Sequence, residues 1–477
     1  MAVRLRSITP EQLTWAFVAL GAAIVLWNAS AYPAGAGYDA SSHREYADFL
    51  IQHHRLPIRN ETPEYYSPPL YYLVAGAATW VGRQLGIFGD PHKLGQLLNV
   101  PAVIGTLLLV VALARLLWPE RRWVAPAAAG FVALSPVLTR TASMFGPEPT
   151  DLFVSMLCLY LATRLLLRRA YRWRPALGLG IALGCGEMVR QFSLWTLAVV
   201  VLAFGAAIWV RAADRRALLG TLAVVIAGTA VVALPWYVYR AIHYGNPIFD
   251  RPHSSKPLWD RRPARFYVDP GLPDLFTKPY RPNMVNLAWP ETYSDIWGDW
   301  YGVFAWDKET QATPSPAHNG WLVFQNVLGV LPTLIAIGGW LLLLVGSLRR
   351  RDAPRLLASL LPLAGIAGYL YFTVSFPTPD GDVLKPTYML TTLGAWALCF
   401  GWLATRLGER RPRLVGGTLV LLALGAAPLS NLMTRFFEIL PLELGSLSRN
   451  LAIIVLVTGI GLGTVGSWVS VRSYLLK

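Results

Sequence analysis

Acidic side chains, cysteines and the common nucleotide-binding or hydrolase motifs are scarce or absent in this sequence. Its 477 residues include 27 Asp and Glu against 42 Lys and Arg, and charged residues make up only 14% of the chain. The three cysteines lie inside apolar runs without paired spacing, which excludes a disulfide framework and favours packing roles. The sequence contains no G-x-x-x-x-G-K-[ST] loop, G-x-S-x-G elbow, H-E-x-x-H helix or internal repeat typical of transporters built from duplicated halves.

Long apolar runs are what the chain has in abundance. Hydrophobic residues make up 54% of the sequence and the mean hydropathy is +0.43. Apolar runs that alternate with arginine-rich loops predict an all-α polytopic membrane protein, and the net charge of +15 then indicates positive-inside loops and no nucleic-acid partner. About 12 transmembrane helices are predicted, at 13–30, 94–118, 124–145, 150–167, 175–189, 194–210, 217–239, 320–348, 354–376, 386–407, 414–430 and 450–471.

One further segment, 68–85, decides the topology. It is apolar, but it opens with two prolines and carries Arg83 and Gln84 near its end. If it does not cross the membrane, half of the 42 basic residues fall in short loops on the cytoplasmic side. If it crosses, every later basic cluster faces outward, against the bias that sets membrane topology. We therefore predict that 68–85 lies along the outer interface and that the acidic loops share the outer side.

The stretch 38–72, which follows the first span, is far more polar than the spans around it. If its first part is helical, Asp39, His43 and Tyr46 share one face at i, i+4 and i+7. A carboxylate one turn away from an imidazole is a pair that can move protons. The alternative is a solvated loop helix whose charged face does no chemistry.

A second group of acids lies in the turn 146–151, between two spans. Asp151 is positioned to cap the following helix, whose N-terminus favours an anion, whereas Glu148 has no such role and is the better site candidate. Arg190 ends another span, and a cation buried at the membrane edge needs an anionic partner. Snorkelling to the interface and pairing with Glu187 at i, i+3 are the alternatives for Arg190.

The long loop 240–319 places aromatic residues beside carboxylates. Asp295 and Trp297 belong to this pattern, which suits sugars because flat rings stack on sugar faces and carboxylates accept hydroxyl hydrogen bonds. An interfacial aromatic belt explains any single tryptophan equally well.

The last outer loop contains Asp380-Gly-Asp382, which looks like the D-x-D motif that binds a metal–nucleotide. The predicted topology places it outside, where nucleotide sugars are not expected. Lys385 and Tyr388, at the mouth of the next span, are better candidates for holding a lipid phosphate.

Together these residues resemble the membrane glycosyltransferases of the GT-C fold, in the branch that includes protein O-mannosyltransferases and the lipid A aminoarabinose transferase. The resemblance runs from the N-terminus to about residue 407, and its motifs are individually loose but specific in their order. They are Gly37-Tyr-Asp39, His43 with Tyr46 and Leu50, Ser67-Pro-Pro-Leu-Tyr-Tyr72, Pro147-Glu148-Pro, Leu234-Pro-Trp-Tyr, Tyr244-Gly-Asn-Pro247, and Trp297-Gly with Tyr301-Gly-Val-Phe.

The resemblance implies an inverting transfer of a sugar from a polyprenyl-phosphate donor to a lipid, glycan or protein acceptor, on the outer side of a bacterial inner membrane. Asp39 then corresponds to the first-loop acid that acts as base, and partial desolvation is expected to raise its pKa. Glu148 corresponds to the second-loop acid that orients the acceptor or, in metal-using relatives, holds a divalent ion; a metal bound by Asp39 and Glu148 stays open. The residues expected to bind substrate are His43, Tyr46, Arg190, Asp295, Trp297, Lys385 and Tyr388.

This sequence departs from several relatives at Ser67, where they carry a charged residue before the paired prolines, so the grip on the donor phosphate must come from elsewhere. Arg190 and Lys385 are the predicted source of that charge. Two other functions stay open: a lipid-linked glycan flippase or transporter, which requires charged or broken helices at the bilayer midplane, and a glycan ligase with the same general layout.

Three regions are expected along the chain. The first is a catalytic transmembrane module at 1–239 that includes the first outer loop, 31–93. A large extracytoplasmic loop at 240–319 follows it, and C-terminal transmembrane helices occupy 320–477.

Overall fold

The structure, a computed structural model, describes residues 9–86, 89–169, 171–246, 256–302, 314, 316–379, 381 and 383–411. Every regular element within these ranges is helical. The α-helices are α1 (Pro10–Ala31), α2 (Ala40–His53), α3 (Leu70–Leu85), α4 (His92–Leu97), α5 (Asn99–Leu117), α6 (Val124–Ala133), α7 (Pro136–Thr141), α8 (Glu148–Arg168), α9 (Trp173–Val189), α10 (Ser193–Val210), α11 (Arg215–Tyr244), α12 (Ala264–Val268), α13 (Ala288–Trp297), α14 (Pro316–Arg350), α15 (Ala353–Ser375) and α16 (Leu393–Arg410). Short 3₁₀ helices occupy Ala212–Asp214, Leu258–Asp260, Asp274–Phe276 and Pro386–Thr392.

Eight helices in the described part of the chain are long and apolar enough to cross a membrane. They include α1, α5 together with α4, α8, α10, α11, α14, α15 and α16, and they coincide with predicted spans. Apolar side chains such as Trp209, Val231 and Ile242 are mostly exposed on them, which is the arrangement expected of a surface that faces lipid. The predicted spans 414–430 and 450–471 lie outside the described residues, so the count of 12 stays a prediction.

The predicted span 124–145 is not one helix, and this part of the prediction is wrong. It is divided into α6, which has 10 residues, and α7, which has 6. Pro136 begins α7 and has no N–H to continue the helix, so the chain breaks at Ser135. All ten residues of α6 are buried, and the helix lies inside the bundle, packed against α1, α5 and α16.

The segment predicted to lie along the interface forms α3, which has 16 residues and is not among the eight long apolar helices. Gly86 ends it in the left-handed conformation, which glycine adopts without a steric penalty. The helix packs against α2 and α4, the other helices of the first loop. Leu73, Val74 and Trp80 are exposed on it, as expected of a helix beside a membrane surface.

Helix ends that are far apart in sequence meet at one end of the bundle. The start of α2, the start of α8, the end of α9 and the 3₁₀ helix Pro386–Thr392 all contribute side chains to one polar region. The prediction placed these four segments on the same side of the membrane, and their positions in the structure agree with it. Close packing of α9 on α11 helps to fix this end, because Gly180 has no room for a Cβ against the Val225 carbonyl.

Candidate active site

A cavity of about 150 Å³ opens at this end of the bundle. One part of its wall is polar and charged, and the other part is formed by aromatic and aliphatic side chains of α10 and α15 and of the loop after α15. Such a two-part cavity suits an amphiphile with a charged head and an apolar tail. The lining residues are Asp39, Glu64, Tyr66, Ser67, Pro68, Arg190, Gln191, Phe192, Leu194, Trp195, Tyr237, Arg240, Gly368, Tyr371, Phe372, Phe376, Thr378, Val383, Lys385 and Tyr388.

Asp39 and Lys385 form an ion pair in the wall of this cavity. Asp39 precedes α2 in the left-handed backbone conformation, with φ of 51°, and its side chain caps no backbone N–H. The Lys385 Nζ lies 2.7 Å from Asp39 Oδ2, although 346 residues separate them in the sequence. Burial alone would raise the pKa of Asp39, but the Lys385 ammonium outweighs it and holds that pKa well below its ordinary value. The expectation of a raised pKa is therefore wrong, because the sequence does not reveal this partner.

Arg190 lies where α9 gives way to extended backbone, and it joins two loops. Its Nη2 lies 3.0 Å from Glu148 Oε1 and its Nη1 lies 3.7 Å from Glu64 Oε2, while Nη1 also donates to Ser67 Oγ at 3.3 Å. Arg190 therefore pairs with Glu148 and Glu64, and the alternative partner Glu187 instead accepts a hydrogen bond from a tyrosine hydroxyl. A guanidinium can hold two carboxylates in this way because its donors are fixed in one plane.

Glu64 is a site residue that sequence reasoning missed. It is buried, it accepts a hydrogen bond from Ser67 Oγ at 2.6 Å, and it lies 3.9 Å from His43 Nδ1. Its position three residues before Ser67, next to the paired prolines, was the available signal. Arg240 is a second such residue: its guanidinium is fully buried, lies 5.7 Å from the ring of Trp236 and lines the large cavity.

A much smaller cavity, of about 10 Å³, adjoins the large one. Its walls include His43 and Glu148, which the sequence placed in the site, together with Met144 and Gly146 from the turn before α8. The two cavities share four lining residues, and these mark the junction between them. The shared residues are Asp39, Arg190, Lys385 and Tyr388.

His43 is buried beside this small cavity, and Tyr72 Oη lies 2.9 Å from its Nδ1. Tyr46, which was predicted to share its face, is fully buried, donates to the backbone oxygen of Ser67 and lines neither cavity. The contact of Tyr46 with substrate stays a prediction, and in the structure its ring packs against Tyr72. Tyr388 does line both cavities and stacks on Phe192.

Asp295 and Trp297 were predicted to contact a sugar; both are buried, and neither lines either of the two cavities described above. The Trp297 indole donates to Thr333 Oγ1 at 2.9 Å, so the ring is part of the packing between α13 and α14. Asp295 accepts a hydrogen bond from Tyr38 Oη at 2.5 Å, and burial raises its pKa to about 6. This bond ties the large loop to the first loop, and a sugar contact by Asp295 or Trp297 stays a prediction.

The described residues do not form a ready site for a divalent ion. No group of three or more His, Cys, Asp or Glu side chains with suitable spacing occurs among them. The two predicted ligands, Asp39 and Glu148, are each neutralised by a cation, Lys385 and Arg190 respectively. Asp380 and Asp382 lie outside the described residues. We therefore derive no step that uses a metal.

The Dolichyl-phosphate-mannose-protein mannosyltransferase family matches residues 74–246. No curated protein matches the sequence significantly. Among solved structures, the chain is similar to the Archaeoglobus fulgidus oligosaccharyltransferase in complex with Zn and sulfate, at 14% identity and a TM-score of 0.52 over 88% of this chain and 52% of that one. It is also similar to AglB from the same organism in complex with an inhibitory peptide and a dolichol-phosphate, at 14% identity and a TM-score of 0.51 over 97% of this chain and 56% of that one.

A further similar structure is ArnT from Cupriavidus metallidurans bound to undecaprenyl phosphate, at 15% identity and a TM-score of 0.48 over 96% of this chain and 76% of that one. At such identities the likeness to the archaeal enzyme establishes the fold, and the chain spans about half of that enzyme's length. The chain therefore has the fold of the GT-C membrane glycosyltransferases, with a segment that matches their protein mannosyltransferase family.

Proposed function

We propose that this protein transfers a sugar from a polyprenyl-phosphate donor to an acceptor hydroxyl, with inversion at the anomeric carbon, on the outer face of the membrane. The observation that carries the proposal is the junction of the two cavities, where two cations and two candidate acids meet. The large cavity is then the donor site, and the small cavity lies where the acceptor hydroxyl reaches the sugar.

The charged part of the large cavity suits the donor phosphate. Arg190, Arg240 and Lys385 line it, and a phosphate bound among them would be neutralised by charge-assisted hydrogen bonds. The phosphate is the leaving group and gains a second negative charge as the glycosidic bond breaks. Cations already in place stabilise that charge where it develops, which is the largest source of catalysis in many enzymes.

The apolar part of the same cavity suits the prenyl chain. Trp195, Phe372 and Phe376 line it, and Tyr371 beside them is 42% exposed, so this wall of the cavity reaches the surface of the helix bundle. Gly368 lets the Trp195 indole lie against α15, because a Cβ there has no space. A lipid can thus keep its tail near the bilayer while its phosphate reaches the cations.

Asp39 is assigned as the general base and Glu148 as the residue that orients the acceptor. The low pKa of Asp39 keeps it ionised at neutral pH, which is the state that accepts a proton. In the reaction, the acceptor oxygen loses its proton to Asp39 and forms a bond to the anomeric carbon. The bond from that carbon to the phosphate oxygen breaks, and its electron pair leaves with the polyprenyl phosphate.

The membrane side of the site rests on the charge distribution. The short loops at the opposite end of the bundle carry the arginine clusters, such as Arg168 with Arg169 and Arg349 with Arg350. Basic loops stay on the cytoplasmic side, so the cavity end faces outward. In a bacterial inner membrane this side is the periplasm, where lipid-linked sugars serve as donors.

Purified protein incubated with radiolabelled polyprenyl-phosphate sugar and a membrane extract tests the proposal. Label on a new acceptor is expected, and Asp39→Asn should abolish it while the variant elutes like the wild type. Asp48→Asn is the matched control, since Asp48 lies on α2, the helix that Asp39 precedes, and lines neither cavity. Wild-type transfer by Asp39→Asn would reject the base assignment, and translocation of the labelled lipid without transfer would favour a flippase.

A further inference from the structure

The Asp39–Lys385 pair lies at the junction of the two cavities, where donor and acceptor have to meet. Its two side chains differ in accessibility: the Lys385 side chain is 5% exposed and the Asp39 side chain is 43% exposed. Glu64 and Glu148, the other carboxylates of the site, are 7% and 10% exposed and are both held by Arg190. Asp39 is therefore the carboxylate whose separation from its cation costs the least free energy, because an unpaired carboxylate in contact with water is far less costly than a buried one.

The cost of burying a further negative charge favours such a release when a donor binds. Without donor, the acids Asp39, Glu64 and Glu148 face the cations Arg190, Arg240 and Lys385, so the site is close to neutral. A donor phosphate adds one negative charge in a partly desolvated space, where an uncompensated charge is expensive. The penalty is smallest if the phosphate takes a cation from the most exposed carboxylate.

We infer that Lys385 changes partner during turnover: it holds Asp39 in the ligand-free protein and moves to the donor phosphate when the lipid binds. This inference rests on the proposed function and adds an order of events to it. Asp39 becomes available to an acceptor hydroxyl only after the donor is in place, so the donor binds first. Lys385 is then both a donor-binding residue and the positioning residue that governs the base.

The released Asp39 is also a stronger base than the paired one. Loss of the nearby ammonium removes the main effect that keeps the Asp39 pKa low, so its affinity for the acceptor proton rises when the donor has bound. After transfer, the polyprenyl phosphate carries two negative charges and keeps Lys385, and the proton on Asp39 passes to that phosphate or to water. When the phosphate leaves, Lys385 returns to Asp39.

Binding of a short-chain polyprenyl monophosphate to the purified full-length protein in detergent tests the inference. Because Asp39 competes with the phosphate for Lys385, Asp39→Asn should bind the lipid roughly three- to tenfold more tightly than the wild type while transferring no sugar. Lys385→Met should bind it roughly tenfold more weakly. Asp48→Asn, an equal change on α2 away from both cavities, should bind like the wild type.

The double variant Asp39→Asn/Lys385→Met separates competition for Lys385 from a general loss of negative charge. It should bind the lipid like Lys385→Met alone, because no cation is left to compete for. If the wild type binds the lipid and Asp39→Asn binds no more tightly, the change of partner is overturned and the proposed function stands. If the double variant still binds more tightly than Lys385→Met, competition for Lys385 is likewise rejected. If the wild type does not bind the lipid at all, the proposed function falls together with the inference.

Discussion

Removing the Arg190 guanidinium should separate its structural role from its role toward the donor. Arg190 Nη2 lies 3.0 Å from Glu148 in a pair whose side chains are 11% and 10% exposed. Breaking a buried ion pair lowers the free energy of unfolding by about 3–5 kcal/mol. Because this pair keeps a small exposure, we expect Arg190→Gln to lose about 3 kcal/mol. Glu64 should suffer less, because Ser67 Oγ still donates to it at 2.6 Å. Thermal unfolding in detergent measures the loss of stability.

A second substitution should restore the stability and leave the activity lost. In Arg190→Gln/Glu148→Gln the unpaired carboxylate is gone, so most of the about 3 kcal/mol should return. Sugar transfer should remain reduced by about 100-fold or more, since the cation opposite the leaving phosphate is still missing and the carboxylate assigned to orient the acceptor is lost as well. Arg44→Gln is the control: Arg44 pairs with Asp90 at 3.6 Å in a partly exposed cluster, so its loss should cost about 1 kcal/mol or less.

The result that would refute this reasoning is recovery of transfer in the double variant. It would mean that Arg190 only neutralises Glu148, that the donor phosphate is bound elsewhere in the cavity, and that the Glu148 carboxylate does not orient the acceptor. Unchanged stability of Arg190→Gln would refute the structural role, since a buried carboxylate that loses its cation should lower the free energy of unfolding.

Three further predictions concern residues around the site. Burial raises the pKa of Asp295 to about 6, above the ordinary value of about 3.9, so the folded protein binds the proton more tightly than the unfolded chain. The free energy of unfolding should therefore fall by about 3 kcal/mol as the pH rises from 4 through 6. Asp295→Asn should abolish that fall in thermal unfolding measured at pH 4.5 and 7.5, and an unchanged fall would assign it to other groups. Gly368→Leu should push the Trp195 indole into the apolar part of the cavity and weaken binding of a long-chain polyprenyl phosphate more than that of a short-chain one; equal weakening would contradict the tail assignment. Tyr72→Phe removes the hydrogen bond to His43 and should cost about 1 kcal/mol of stability, with a severalfold loss of transfer that an unaltered rate would disprove.

Hydropathy and charge predicted much of the architecture, since each span must satisfy its own backbone and each short loop carries a topological signal. The same argument brought Asp39, Glu148, Arg190 and Lys385 to one end of the bundle without any knowledge of their contacts. It failed at 124–145, because mean hydropathy does not register the helix break at Pro136. That break could have been predicted from the sequence, because proline has no N–H to continue the hydrogen bonds of a helix.

The partners of the site residues were not readable in the same way. Nothing in the sequence links Asp39 with Lys385, and this contact reverses the expected direction of the Asp39 pKa shift. Nor does the sequence reveal that Trp297, an aromatic among acids that suggests a sugar contact, donates its indole N–H to Thr333 on α14. Helical spacing likewise placed Tyr46 on the face of His43 but could not tell which of them reaches a cavity.

The sequence distance between Asp39 and Lys385 has a consequence for biosynthesis. The ribosome synthesises Asp39 346 residues before Lys385, the residue that pairs with it. The nascent polypeptide therefore contains the acid without its partner through most of its synthesis. During that interval the large cavity lacks the wall formed by α15 and the loop after it, together with the Lys385 charge. If the proposed function holds, fragments that stop before Lys385, such as those left by stalled synthesis, retain Asp39 and Glu148 but should transfer no sugar.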